Sequence, residues 1–234
     1  MKFPGKKALV FGGTSGIGLS TVQQLSALGA EVVAMGRDES KASALPDNAT
    51  FRQCDVRDRE ALAALYSDLG PFDILVSAAT GGSRAIGPFS DMDMDGYMSS
   101  FDKLWGYANV VRFGVEHLAE DGAIVLVSGS PARRCGPGQV ALSSVGGAVE
   151  ALSRAVAKEI KPKRINVMSP GLIDTPMVAL TGDERKAHYE RLTGNNLIAR
   201  AGTADECAKG VIFLLENDFV TGTTLDVDGG ILLS

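Results

Sequence analysis

Lys7-Ala-Leu-Val-Phe11 runs without a break into Gly12-Gly-Thr-Ser-Gly16-Ile-Gly18 and then into Leu19-Ser-Thr-Val-Gln-Gln-Leu-Ser-Ala-Leu28. The first run reads as a buried strand. The last, with apolar residues at helical spacing, reads as an amphipathic helix. A glycine turn between the two is the arrangement that cradles a dinucleotide pyrophosphate. Glycine lets the backbone approach the phosphates, and the first turn of the helix offers free N–H donors at the positive end of its dipole. A glycine-rich loop alone is weak evidence, but its position directly after an apolar strand and before a helix makes the reading strong.

The chain has 234 residues, enough for one substantial core, and is read as a single domain over residues 1–234. A net charge of −5 with interspersed signs and no basic stripe argues against nucleic acid as a partner. Cys54, Cys135 and Cys207 are odd in number and lack the C-x-x-C spacing of zinc or redox sites, which fits reduced thiols in a cytoplasmic protein. No apolar run approaches the ~18 residues of a membrane span, so no membrane association is expected. His117 and His188 are the only histidines, so no metal site is expected, and His117 reads as a helix-terminal cation.

Apolar runs of strand length fall at residues 8–11, 31–35, 50–53, 74–77, 123–128, 165–169 and 224–227. Helical patterns fall between them at 16–28, 57–69, 98–119, 143–160 and 205–215. This alternation predicts an α/β fold: a doubly wound parallel sheet of Rossmann-like type in a three-layer α/β/α domain, with ligands at the carboxyl ends of the strands. Two segments break the rhythm, 80–98 and 171–196, and both are expected at the ligand edge; the second holds a short helix over 183–192. With residues 131–140 and 177–197, the stretch 81–94 is expected to line a pocket for a small-molecule substrate.

Taken together, these motifs resemble the short-chain dehydrogenase/reductase family along essentially the whole chain. Gly12-x-x-x-Gly16-x-Gly18 is similar to that family's fingerprint, and Asp55-Val56 to its adenine-contacting pair. Asp73-Ile-Leu-Val-Ser77-Ala-Ala79 resembles its fourth strand, Ser169-Pro-Gly-Leu-Ile-Asp-Thr175 its nicotinamide loop, and 221–230 its C-terminal strand. The resemblance implies a cofactor site built from Gly12, Thr14, Ser15, Gly16, Ile17, Gly18, Arg37, Asp55, Val56, Ala78, Ala79, Pro170, Gly171, Ile173 and Thr175.

The family's Tyr-x-x-x-Lys pair is expected a few residues before a helical stretch of the kind seen at 148–159, but gap-free register places Leu142 at the tyrosine and Gly146 at the lysine. The catalytic serine position falls on Gly129, between Ser128 and Ser130, and the helix-borne asparagine falls on Lys103. Leucine has no proton to give to the alkoxide that develops when hydride adds to a carbonyl. Lys103 is therefore the candidate acid or oxyanion stabiliser, with Ser128 and Ser130 as candidate hydrogen-bond donors. The competing reading pairs Lys103 with Asp102 at the surface. Arg133 and Arg134 either bind an anionic substrate group or are solvated. A substrate that needs no acid, an iminium or a conjugated carbonyl, is a further option. So is a catalytically silent dinucleotide-binding sensor or partner subunit.

Cofactor preference is read from the end of the second strand. NAD-preferring relatives carry an acid there, whereas this chain has Gly36 followed by Arg37, which favours NADP over NAD, with Thr14 or Ser15 assisting. Asp38 either turns toward the ribose or pairs with Arg37. On the helix over 143–160, Glu150 and Arg154 form an i,i+4 pair. The resemblance implies that this helix packs against another subunit in a homodimer or homotetramer.

Overall fold

The computed structural model describes residues 2–80 and 83–234; Gly81 and Gly82, part of the expected pocket lining, lie outside the described residues. Seven parallel strands form one sheet in the order β3-β2-β1-β4-β5-β6-β9. They are β1 (Lys7–Phe11), β2 (Glu31–Gly36), β3 (Ala49–Gln53), β4 (Phe72–Ser77), β5 (Leu118–Val127), β6 (Arg164–Pro170) and β9 (Thr224–Val227). A second, two-stranded parallel pair joins β7 (Ile173–Asp174) to β8 (Gly202–Thr203). The helices are α1 (Gly16–Ala27), α2 (Arg59–Leu69), α3 (Met94–Ser100), α4 (Asp102–Gly114), α5 (Val140–Glu159), α6 (Gly182–Thr193) and α7 (Ala204–Glu216).

Successive side chains of a strand point to opposite faces, and the core divides accordingly. Leu9 and Phe11 of β1 join Leu62 and Tyr66 of α2, Tyr107 and Val110 of α4, and Val149 of α5. Ala8 and Val10 face the other way, onto Val22 and Leu25 of α1 and Val211 and Leu214 of α7. The central strands are buried on both faces, which is why they read in sequence as near-continuous apolar runs. The strand order reverses between β1 and β4, so a crevice opens at the carboxyl edge beside the glycine turn.

Several boundaries differ from the sequence reading. The single helix expected over 98–119 is two helices meeting at Phe101. At the break the Ser100 hydroxyl donates to the Gly96 carbonyl at 2.9 Å and accepts the Ala85 N–H at 3.0 Å, a local side-chain bond of the kind that bends helices. The chain beyond Gly114 turns and enters β5 at Leu118, so His117 is not helix-terminal; its ring stacks on Tyr66 at 5.9 Å between centroids. α2 starts at Arg59 because the Asp58 side chain caps it by accepting the Ala61 N–H at 2.9 Å. α5 starts at Val140 and is long and apolar enough to cross a membrane by length and composition, yet it packs along the sheet with Val145 and Val149 in the core.

Candidate functional site

Gly12 has φ of 75°, and any Cβ there would lie 2.7 Å from the Ala79 nitrogen; at Gly18 a Cβ would overlap the Gly12 carbonyl. The turn therefore folds tightly only with glycine at both positions. It delivers α1 with its N–H groups pointing into the crevice. No acidic residue occupies the first turn of α1, and Ser15 makes no side-chain cap, so nothing within the helix competes for an incoming anion. Across the crevice, the Ala78 N–H donates to the Phe11 carbonyl at 2.9 Å, which ties the ends of β1 and β4 together. A cleft follows, lined by Gly12, Thr14, Ser15, Gly36, Arg37, Asp38, Lys41, Asp55, Val56, Ala79 and Thr80 among others. Ile17, in the first turn of α1, is partly buried and packs against the α1 side of the core. Loop, free helix terminus and elongated cleft fit a dinucleotide.

At the end of β2, a Cβ on Gly36 would stand 2.9 Å from the Thr14 hydroxyl, so Thr14 occupies the space a side chain there would need. Asp38 lines the cleft and forms no ion pair with Arg37 among the described residues. Its carboxylate accepts the Ser40 N–H at 3.0 Å and hydroxyl at 2.6 Å, capping a short 3₁₀ helix at Glu39–Ala44. These bonds hold its carboxyl below the usual range. The same helix brings Lys41 to the cleft, a cation the sequence reading missed although it stands four residues after Arg37. Asp55 lines the cleft too, but Arg57 grips it at 2.9 Å, and that hydrogen bond chiefly depresses its carboxyl.

Lys103 sits in the first turn of α4, under the carboxyl edge of β5. Its ammonium donates to the Ser128 carbonyl at 3.2 Å and lies 5.5 Å from the centroid of the Tyr107 ring, one helical turn on. Asp102 is not its partner, because that carboxylate is taken by Arg57 at 2.9 Å. Burial, and secondarily the positive charge of Arg84, pull the Lys103 ammonium down from an ordinary 10.5 to about 7. Tyr107 is fully buried, donates to the Val127 carbonyl at 3.1 Å and is pushed above its ordinary range by burial, so its phenol is locked away from the crevice.

The other candidates fall into two groups. Ser128 turns its hydroxyl to Glu150 at 3.4 Å, presenting its carbonyl rather than its side chain to Lys103. Ser130 is buried and accepts the Arg133 and Arg134 N–H groups on its carbonyl. Leu142 and Gly146 lie in the first two turns of α5, where a Cβ on Gly146 would stand 3.0 Å from Ala132. Arg133 is committed to Glu150 at 3.2 Å and Asp226 at 2.8 Å, and Arg134 to the Ile231 carbonyl, so neither is a free anion receptor. Glu150 does reach Arg154 at 3.9 Å, but it is buried, and Arg133 is its closer partner.

Beyond β6, Pro170 and Gly171 lead to Ile173 and Thr175, and Thr175 lies beside Gly16 so that a Cβ there would meet its methyl at 3.5 Å. The loop is held by a residue the sequence reading did not single out. Arg185 of α6 grips Asp174 at 2.9 Å and donates to the carbonyls of Thr175 at 2.8 Å, Val178, and Leu180 at 2.9 Å. Its contact with Asp174 raises its own affinity for the proton.

The family model described as enoyl-(acyl carrier protein) reductase matches residues 12–232. Mouse (Mus musculus) L-xylulose reductase is 30% identical over 97% of both chains. A 3-oxoacyl-(acyl-carrier-protein) reductase of Haemophilus influenzae is 32% identical over 98% of this chain and 99% of its own. Among solved structures, a short chain dehydrogenase/reductase family protein superposes with a TM-score of 0.87 at 32% identity over 100% of both chains. A small-chain dehydrogenase in complex with NADPH superposes at 0.83 with 28% identity, covering 98% of this chain and 100% of that one. Coverage this complete, on a fold and crevice of this kind, makes the chain a member of the short-chain dehydrogenase/reductase family of oxidoreductases.

Proposed function

We propose that this protein is an NADP-dependent reductase of a small carbonyl or imine compound, in which Lys103 does the acid's work that the family assigns to a tyrosine. The observation that carries the reading is the Lys103 ammonium itself: anchored on the Ser128 carbonyl, without a carboxylate partner among the described residues, and pulled down by burial to about 7. On this reading Leu142 and Gly146 of α5 take the places that the family resemblance gives to tyrosine and lysine, and neither residue can move a proton. When bound, the reduced dinucleotide supplies a hydride. Lys103 then stabilises the developing oxyanion and hands it one proton, and solvent recharges the amine. One hydride and one proton complete the reduction.

The same reading assigns the extra phosphate of NADP to Arg37 and Lys41, two cations that line the cleft after Gly36 at the end of β2. It places the protein in the cytoplasm, as a homodimer or homotetramer. The test is NADPH consumption with matched panels of ketones, enones and cyclic imines, comparing wild type with Lys103→Met and Lys103→Arg. The reading expects wild-type turnover, a loss of about 10²- to 10⁴-fold in Lys103→Met, and only partial recovery in Lys103→Arg. Turnover that survives Lys103→Met would overturn it, and NADPH binding without turnover in any panel would favour the silent sensor.

A further inference from the structure

One stripe of α4 rests on the wall of the dinucleotide cleft. Asp102, Gly106 and Asn109, at helical spacing, all meet the short connection from β3 to α2. The Asp102 carboxylate accepts the Arg57 guanidinium at 2.9 Å, and the Asn109 amide donates to the Val56 carbonyl at 3.2 Å. Between them Gly106 lets Val56 sit against the helix, because any Cβ there would run into a Val56 methyl. The other side of this connection is cleft wall, lined by Asp55 and Val56. Arg57 spans the two sides, holding Asp55 at 2.9 Å with one nitrogen and Asp102 with another.

The neighbouring stripe of α4 carries Lys103 and, one turn on, Tyr107. Their side chains donate to consecutive carbonyls past the end of β5, Tyr107 to Val127 at 3.1 Å and Lys103 to Ser128 at 3.2 Å. α4 therefore stands between the cleft wall and the edge that anchors the ammonium. Phe101 supplies no side-chain cap, so the first turn is held from outside, by Arg57. An ion pair this exposed adds little to global stability, and its effect is on where that turn sits.

We propose that the Asp55–Arg57–Asp102 bridge couples occupancy of the cleft to the placement of Lys103, with Arg57 as the positioning residue. A nucleotide seated against Asp55 and Val56 orders the connection, Arg57 and Val56 pass that order to the first two turns of α4, and Lys103 is held in register with the Ser128 carbonyl. The other groups that act on the ammonium are the Tyr107 ring on its own helix, Glu150 behind Ser128, and the charge of Arg84. Arg57 bonds to none of these among the described residues. The catalytic consequence rests on the reductase reading, whereas the coupling itself does not.

Trp105 is the only tryptophan of the chain, and it is exposed on α4 between Lys103 and Gly106, so its emission reports the first turns directly. The probe is 2′,5′-ADP, which carries the nucleotide half of NADP and no nicotinamide. Calorimetry reads its binding and fluorescence its effect on Trp105, in wild type, Arg57→Leu, Arg57→Lys and Asp102→Asn. Wild type should bind it and change its emission. Asp102→Asn should bind it equally well with the emission change lost, since Asp55 keeps Arg57. Arg57→Leu should lose the change too, and Arg57→Lys should restore part of it. In NADPH turnover, Asp102→Asn should lower kcat about 10- to 100-fold with little change in KM for NADPH. The double variant Arg57→Leu with Asp102→Asn should be no slower than Arg57→Leu alone, because both break one bridge. In each, the fall of kcat with pH should move above about 7, because a loosened ammonium meets more water. Binding to wild type without an emission change, a response that survives Asp102→Asn, additive losses in the double variant, or an unmoved pH profile would overturn the proposal. If 2′,5′-ADP does not bind wild type, the cofactor reading and the coupling fall together. Turnover that survives Lys103→Met sinks the acid reading alone, and the Trp105 response still decides the coupling.

Discussion

Lys103→Met should yield a protein that is more stable and nearly inactive, with a stability gain that depends on pH. Burial first, and Arg84 second, lower the ammonium from 10.5 to about 7. At about 1.4 kcal/mol per pH unit, that fall weighs about 5 kcal/mol against the charged form. Partial solvent access, the Ser128 carbonyl and the Tyr107 ring offset about half, leaving a net gain of about 2–3 kcal/mol for methionine. Each kcal/mol moves the melting midpoint of a chain this long by ~2–4 °C, so the variant should melt about 5–10 °C higher near pH 6. The sign follows from linkage. Since the folded value lies below the unfolded one, the unfolded chain holds the extra proton between pH 7 and 10.5, and wild-type stability rises with pH through that window. The advantage of methionine should be complete below about 7 and should fade as pH climbs toward 10.5. Melts of both proteins from pH 6 to 10 measure this. A midpoint difference that is constant with pH, or a less stable variant, would refute the placement of an uncompensated ammonium at this point.

Other expectations follow from the same geometry. For the reduction, kcat/KM should fall as pH rises through about 7, because the Lys103 ammonium is the acid and is lost there; a profile flat to pH 9 in steady-state assays would contradict it. Replacing both Arg37 and Lys41 with alanine should weaken NADPH binding about 10- to 100-fold and leave NADH nearly unchanged, as read by fluorescence titration. Gly18→Ala forces a methyl into the Gly12 carbonyl and should abolish binding of both dinucleotides, with a loss of midpoint visible in the same melts. Arg185→Ala frees the loop from Asp174 to Leu180 and should raise KM several-fold while costing little global stability, because the ion pair it breaks is solvent-exposed.

The layout of the sheet was legible because its central strands are buried on both faces and so spell continuous apolar runs, as at 8–11 and 165–169. The cofactor turn was legible because only glycine fits at Gly12 and Gly18. Lys103 could be found by register, and its freedom from Asp102 could not, since that depends on Arg57 arriving from the β3–α2 connection. Arg84, Lys41 and Arg185 escaped for a common reason. Each acts from an irregular segment or a short helix whose path is fixed by tertiary hydrogen bonds, such as Ala85 to Ser100, rather than by periodicity. The i,i+4 pair of Glu150 with Arg154 forms at 3.9 Å, but burial also gives Glu150 to Arg133, and helical spacing carries no information about what packs above a helix face.

The bridge from Glu150 through Arg133 to Asp226 joins a helix to a strand that enters the sheet long after it in the chain. Glu150 also receives Ser128, whose carbonyl steadies Lys103, so the last strand and the proposed proton donor share one scaffold. Opening of β9 should therefore loosen the amine's anchor as well, and amide protons along β9 and at residues 128–134 should exchange with solvent at a common rate. Proteolytic or thermal fraying at that sheet margin would then switch off chemistry before the dinucleotide cradle comes apart.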